Sequence, residues 1–265
     1  MSDHLEQWET FLYAEGKALR TVQDRIATMQ RFERARGSLL DATPRDVAAW
    51  LSQPHLSAVS KSTQHSMFRA FYRWAVTQGL RPDDPTVTIR AARRPKGSPR
   101  PIAWSSFRRL VDSAPTDELR AMVLLGGYAG LRVHEIAQVH GRDLDAEAGT
   151  LTVTGKGGGT FTLPAHHELI EVAARMPRGY WFPSQRASHV ERRTIWQRLR
   201  LHMLSQGVNA TPHQLRHTYA TQLVTTGADL RVVQELMRHA SLQTTARYTA
   251  VADDRKRAAI ERLAS

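Results

Sequence analysis

The 265-residue chain contains no cysteine, so disulfides, thiolate nucleophiles and cysteine-ligated metals are excluded. It has no apolar run approaching the ~20 residues that a membrane-spanning helix requires. Its first residues, MSDHLEQWET, lack the basic and apolar regions of a secretory signal. These absences suggest a soluble, cytoplasmic protein. Lysine is scarce: positions 17, 61, 96, 156 and 256 supply 5 of the 37 basic residues. An arginine bias of this kind fits a GC-rich coding sequence, so it says little by itself, and each lysine stands out against it. Acidic residues also fall short, and 25 Asp and Glu leave a formal net charge of +12. That excess is larger than solubility needs and suggests a polyanionic partner. The apolar fraction, 41%, is ordinary for a globular chain long enough for one large or two smaller cores.

Residues 1–82 read as a domain of four short helices. Trp8, Phe11 and Leu12 stripe the first, and Ile26, Met29 and Phe32 stripe a second over 21–36. Thr43-Pro44 supplies a cap and an N1 proline for a third. Ser60 or Ser62 can cap a fourth, whose apolar face carries Met67, Phe71 and Trp74. Its opposite face carries Lys61, His65, Arg69 and Arg73, either as a solvated face or facing phosphates. Residues 83–102 hold four of the five prolines of 81–101 with little periodicity and read as a basic linker. Arg93, Arg94 and Lys96 there either serve solubility alone or cross a DNA backbone. Residues 103–265 return to helices, interrupted by one antiparallel hairpin: 150–154 and 160–163 alternate around β-branched residues, and glycine-rich 155–159 forms the turn. The fold class is mainly α with a small antiparallel β element, in two domains.

One stretch raises a chemical question. TPHQLRHTYATQL, residues 211–223, opens a helix with His213, Arg216 and His217. A helix N-terminus already carries positive potential, so further cations there need an anion opposite. The i,i+4 histidines could hold zinc, but the zincin pattern needs Glu where Gln214 stands, and an intervening arginine disfavours a cation. A phosphate fits better, because arginine presents two parallel donors to two phosphate oxygens. The Gly-Lys-Gly-Gly string at 155–158 is not a phosphate-binding P-loop, since glycine follows the lysine and a strand follows the turn.

The company of this stretch is ordered. Gly130-Leu131-Arg132 leads to Glu135, Lys156 sits in the hairpin turn, His213 and Arg216 follow, then His239, then Tyr248. In this order the residues resemble the catalytic domain of the tyrosine recombinases, the phage integrase and Xer family, over roughly 100–255. The first 80 residues resemble that family's helical core-binding domain more weakly. The resemblance implies a two-domain clamp on double-stranded DNA and a metal- and ATP-independent enzyme without a cofactor. It makes Tyr248 the nucleophile, forming a 3′-phosphotyrosyl bond, and Arg132 and Arg216 the clamp on the phosphate oxygens. Lys156 becomes the general acid for the 5′-oxygen, His213 the proton acceptor, His239 a hydrogen-bond donor, and Glu135 a support for Arg132. It also implies a homotetramer on two duplexes formed from a free monomer, a tail helix over 252–263 docking on a neighbour, and room for an accessory directionality factor. With about 80 residues ahead of the linker, no additional arm-binding domain is expected. One departure stands out: the family commonly has glycine where this chain has Arg238. Phage integration is the leading role expected. Xer-like dimer resolution, a type IB topoisomerase-like relaxer and an inactive DNA-binding accessory are the alternatives.

Overall fold

The computed structural model describes residues 2–93, 100–155 and 158–238. Arg94, Lys96, Lys156, His239 and Tyr248, and the tail helix expected over 252–263, lie outside the described residues. The chain divides into two compact units, Met1–Gly97 and Ser98–Ser265. The division falls inside the segment expected to be a linker.

The first unit contains helices α1 (Asp3–Ala14), α2 (Leu19–Arg36), α3 (Pro44–Leu51) and α4 (Ala58–Thr77). Their apolar stripes meet in one core that includes Leu5, Trp8, Met29, Phe32, Phe68 and Phe71. Each fully buried side chain of this size contributes roughly 1.5–3 kcal/mol. The rings pack edge to face, Phe32 on Phe68 at 5.0 Å and Trp8 on Phe71 at 5.2 Å between centroids. Thr43 closes a capping box with Asp46, and Pro44 begins α3. The cap of α4 is Ser57, whose Oγ accepts the Ser60 N–H at 3.1 Å. Ser60 and Ser62 lie inside the helix, and Ser62 is buried.

Residues 81–89 are not free linker. Arg81 Nη1 donates to the Leu39 and Ala42 carbonyls at 3.3 and 3.2 Å, Thr86 is 2% exposed, and Ile89 packs on the core. The Ile89 carbonyl lies 2.8 Å from His65 Nε2. This corrects one expectation: His65 is 5% exposed and holds the returning chain, so it is not part of the outer face of α4. Arg69 and Arg73 are exposed there and Lys61 is half-buried; Arg93 is also exposed.

The second unit begins by docking. Arg100 O accepts Gln214 Nε2 at 2.9 Å, and the Ile102 N–H donates to Thr218 Oγ1 at 3.0 Å. Helices α5 (Trp104–Asp112) and α6 (Asp117–Gly127) follow, then the short α7 (Val133–Ala137). Thr116 caps α6, accepting the Leu119 N–H at 3.2 Å, whereas Ser106 lies within α5. Residues Ala121–Gly127 of α6 are buried all round, as expected of a helix with no polar face at its centre. A three-stranded antiparallel sheet packs nearby in the order β1 (Leu144–Asp145), β2 (Thr150–Thr154), β3 (Thr160–Pro164). Its register pairs Leu151 with Leu163 and Val153 with Phe161. Leu151, Val153 and Leu163 face the core. The hairpin turn closes through Gly155 N–H to Gly159 O at 2.7 Å. The remaining described helices are α8 (His167–Ala173), α9 (Arg192–Ser205), α10 (His213–Thr225) and α11 (Leu230–Leu236). Among the described residues, no helix is long and apolar enough to cross a membrane.

Candidate active site

Three chain segments converge on one carbonyl. Gly130 ends the α6 region with φ +59°, and a Cβ there would lie 2.5 Å from the Tyr219 ring, so the position needs glycine twice over. Its carbonyl oxygen accepts Arg216 Nη1. The other end of the Arg216 fork, Nη2, donates to the Met237 carbonyl just past α11. Arg216 is 2% exposed, so its planar guanidinium ties α6, α10 and α11 together inside the second unit.

Local sequence sets this up. Pro212 already has helical dihedrals, φ −54° and ψ −27°, and the Thr211 N–H donates to Gln214 Oε1 at 2.8 Å. The start of α10 is thereby fixed one turn before Arg216. His213 lies in that first turn and is exposed; its ring stands 4.7 Å from that of His217, at 76°. Local desolvation, and then the positive charges of Arg216 and Arg132, hold the His213 pKa below the usual histidine value. Burial, His213 and Arg216 push His217 down to about 4. Both rings are therefore neutral at neutral pH, and His213 is able to accept a proton.

Arg132 immediately precedes α7. Its backbone N–H donates to Glu135 Oε2 at 2.7 Å and its Nη1 to Oε1 at 2.9 Å. The Arg132 side chain is 37% exposed while that of Glu135 is 1% exposed. Arg132 thus presents a solvent-facing cation anchored to a buried carboxylate. Arg216 lies one turn along α10 from His213 and binds the carbonyl of Gly130, two residues before Arg132, so the three side chains share one neighbourhood.

In the sequence, Arg238 is only a departure from the family pattern. It has φ +52°, the one positive φ at a non-glycine residue among those described. Such a backbone costs about 1–2 kcal/mol in any residue with a Cβ. Its side chain turns inward to Glu135 Oε2 at 2.8 Å and is 2% exposed. No spacing rule in the sequence could have shown that contact. The packed aromatics are accounted for: Tyr219 covers Gly130, and the Tyr128 hydroxyl joins Arg108 and Glu168. His166, His167 and Glu168 bring ligand-type atoms within 4.8 Å of one another, but Glu168 is already committed to Arg108 and Arg120.

The phage integrase family model matches residues 106–255. The chain belongs to that family, the tyrosine recombinases. Tyrosine recombinase XerA of Pyrococcus furiosus is 31% identical over 98% of this chain and 94% of its own length. The solved integrase of mycobacterium phage Brujita is 40% identical, with a TM-score of 0.54 over 98% of this chain and 91% of that one. A lambda integrase dimer bound to a COC′ core site shares the fold at TM-score 0.77 and 20% identity, covering 91% of this chain and 95% of that one. The mostly helical catalytic architecture with its small antiparallel sheet is that of a tyrosine recombinase.

Proposed function

We propose that this tyrosine recombinase joins phage DNA to a host site, cutting and resealing double-stranded DNA through a covalent bond to Tyr248. The observation that carries the chemistry is the arginine pair: a buried Arg216 and a solvent-facing Arg132 that share one neighbourhood with a neutral His213. Tyr248 Oη attacks the scissile phosphorus and gives its proton to His213. The bond from phosphorus to the 5′-oxygen breaks as Lys156 delivers a proton to that oxygen, leaving a 5′-hydroxyl. Arg132, Arg216 and His239 hold the non-bridging oxygens, where charge builds in the pentacoordinate transition state. A second strand's 5′-hydroxyl reverses the steps, so the phosphodiester energy is kept in the covalent intermediate. Exchange of two duplexes requires four strand cuts and hence four protomers. Lys61, Arg69, Arg73, Arg93, Arg94 and Lys96 are proposed to hold DNA by phosphate contacts, which fix position without reading sequence.

The phage role is supported by the similarity to the Brujita integrase. The XerA relative favours a second reading, dimer resolution. Affinity capture of genomic fragments, followed by sequencing and a two-plasmid recombination assay, separates them. Two unlike sites that recombine with each other support integration. A single site that recombines only with its own copy supports dimer resolution and rules out the phage role.

The depressed His213 pKa makes a kinetic prediction. The rate of covalent capture should be flat through neutral pH and fall on the acid side with an inflection below about 6.5, the unperturbed histidine value. Single-turnover rates from pH 5 to 8 check this; an inflection above 6.5 would remove His213 as the proton acceptor.

A further inference from the structure

The buried carboxylate of Glu135 serves two guanidinium groups at once. Oε1 takes Arg132 Nη1 at 2.9 Å, and Oε2 takes Arg238 Nη2 at 2.8 Å together with the Arg132 backbone N–H at 2.7 Å. Arg238 Nη2 also lies 3.4 Å from Gly130 O, the carbonyl that Arg216 binds. Arg238 therefore touches the anchors of both clamp arginines. It does so from an unfavourable position. Its backbone is left-handed, and its Nε and Nη1 are buried with no hydrogen-bond partner among the described residues. Glycine at 238 would relieve the backbone and remove both unsatisfied groups. Local strain of this kind persists only where the surroundings impose it, and such positions cluster at functional sites.

Charge and geometry indicate what is gained. Without Arg238, Glu135 is a buried anion whose one side-chain cation among the described residues is Arg132. A carboxylate in that situation draws an arginine into a two-bond fork, which uses the donors a phosphate would need. With Arg238 present, one carboxylate oxygen is taken, and Arg132 is held by a single side-chain bond. Two arginines then bond the Glu135 carboxylate, and Arg216 binds the neighbouring Gly130 carbonyl; the cluster of three arginines and one glutamate carries a formal charge of 3 − 1 = +2 rather than +1 with glycine at 238. The reacting phosphate is anionic and becomes more so in the transition state.

We propose that Arg238 is a positioning residue of the phosphate clamp: by occupying Glu135 Oε2 beside Gly130, it keeps Arg132 singly bonded to Glu135 and its remaining donors turned to the scissile phosphate. The proposal rests on the recombinase reading above and deepens it. It predicts a role in the chemical step, distinct from DNA affinity and from folding.

The test uses the full chain with R238G, R238K, E135Q and the R238G/E135Q double variant. Single-turnover adduct formation on a nicked suicide duplex, DNA Kd and thermal melting are measured for each. R238G should slow adduct formation by about tenfold or more, with Kd within roughly twofold of wild type. R238K keeps the charge but spans one acceptor, so it should recover part of the rate. In the E135Q background the neutral amide needs no sharing, so R238G should cost clearly less than it does in wild type. Nitrogen-15 spectra of the free protein's arginine side chains give a readout independent of activity: R238G should shift the Arg132 guanidinium resonances. A wild-type rate in R238G, equal losses in both backgrounds, a loss fully explained by the unfolded fraction, or an unmoved Arg132 signal would each overturn the proposal. Absence of adduct from the wild-type protein would instead sink the recombinase chemistry, while the spectra still decide the role of Arg238.

Discussion

Tyr248→Phe is expected to abolish covalent capture of DNA while leaving DNA binding intact. The substitution keeps the ring and whatever packing it makes, and removes the one oxygen that attacks phosphorus. Removal of a covalent nucleophile costs on the order of 10⁶ in rate where it has been measured, so adducts on a nicked duplex should fall below detection. The clamp arginines and the DNA-facing cations are untouched, so gel-shift affinity and its salt dependence should match wild type. Adducts from Y248F at the wild-type level would move the nucleophile elsewhere. Of the other tyrosines, Tyr219 is closed over Gly130, and Tyr128 is bound to Arg108 and Glu168.

Arg132→Ala and Arg216→Ala should both cripple cleavage, yet only the second should cost much stability. Loss of one well-placed donor to a developing oxyanion typically lowers the rate by about 10²–10³. In R132A, the buried Glu135 still has Arg238 at 2.8 Å, and the lost side chain was 37% exposed. Its melting temperature should therefore stay close to wild type. In R216A, the Gly130 and Met237 carbonyls lose the guanidinium that joined them deep in the second unit. An unsatisfied buried acceptor costs about 1–3 kcal/mol, and a cavity adds to that. At about 2–4 °C per kcal/mol for a domain of this size, R216A should melt several degrees lower. Thermal melts beside single-turnover rates check both halves. Equal destabilisation by the two variants would contradict the division of labour between a structural clamp arginine and an exposed one.

The elements most legible in the sequence were those whose signals are local. Thr43-Pro44 marks the start of α3 because cap and proline chemistry act within one turn. The alternation around Leu151, Val153 and Leu163 places the β2–β3 hairpin and its inward face. The two-residue β1 is too short to alternate and so carries no signal in the sequence. Several serines crowd the start of α4, and geometry rather than type selects Ser57. His65 shares a helical stripe with Lys61 and Arg69, but residues 81–89 fold back and bury it, a tertiary event that periodicity cannot report. The same limit applies to the site. The family resemblance implies that Glu135 supports Arg132, and the structure contains that pair at 2.9 Å. The second claim on Glu135, by Arg238 from 103 residues away, follows from the packing of α11 and from no motif.

The most direct measurement is the identity of the covalent bond. Wild-type protein is incubated with a nicked suicide duplex in EDTA, digested with nuclease and trypsin, and the modified peptide is sequenced by mass spectrometry. The proposed chemistry predicts a nucleotide remnant linked through its 3′-phosphate to Tyr248, within the peptide 248–255, and a free 5′-hydroxyl on the released strand. A remnant on another residue, or cleavage without any adduct that appears only when a divalent ion is added, would contradict it.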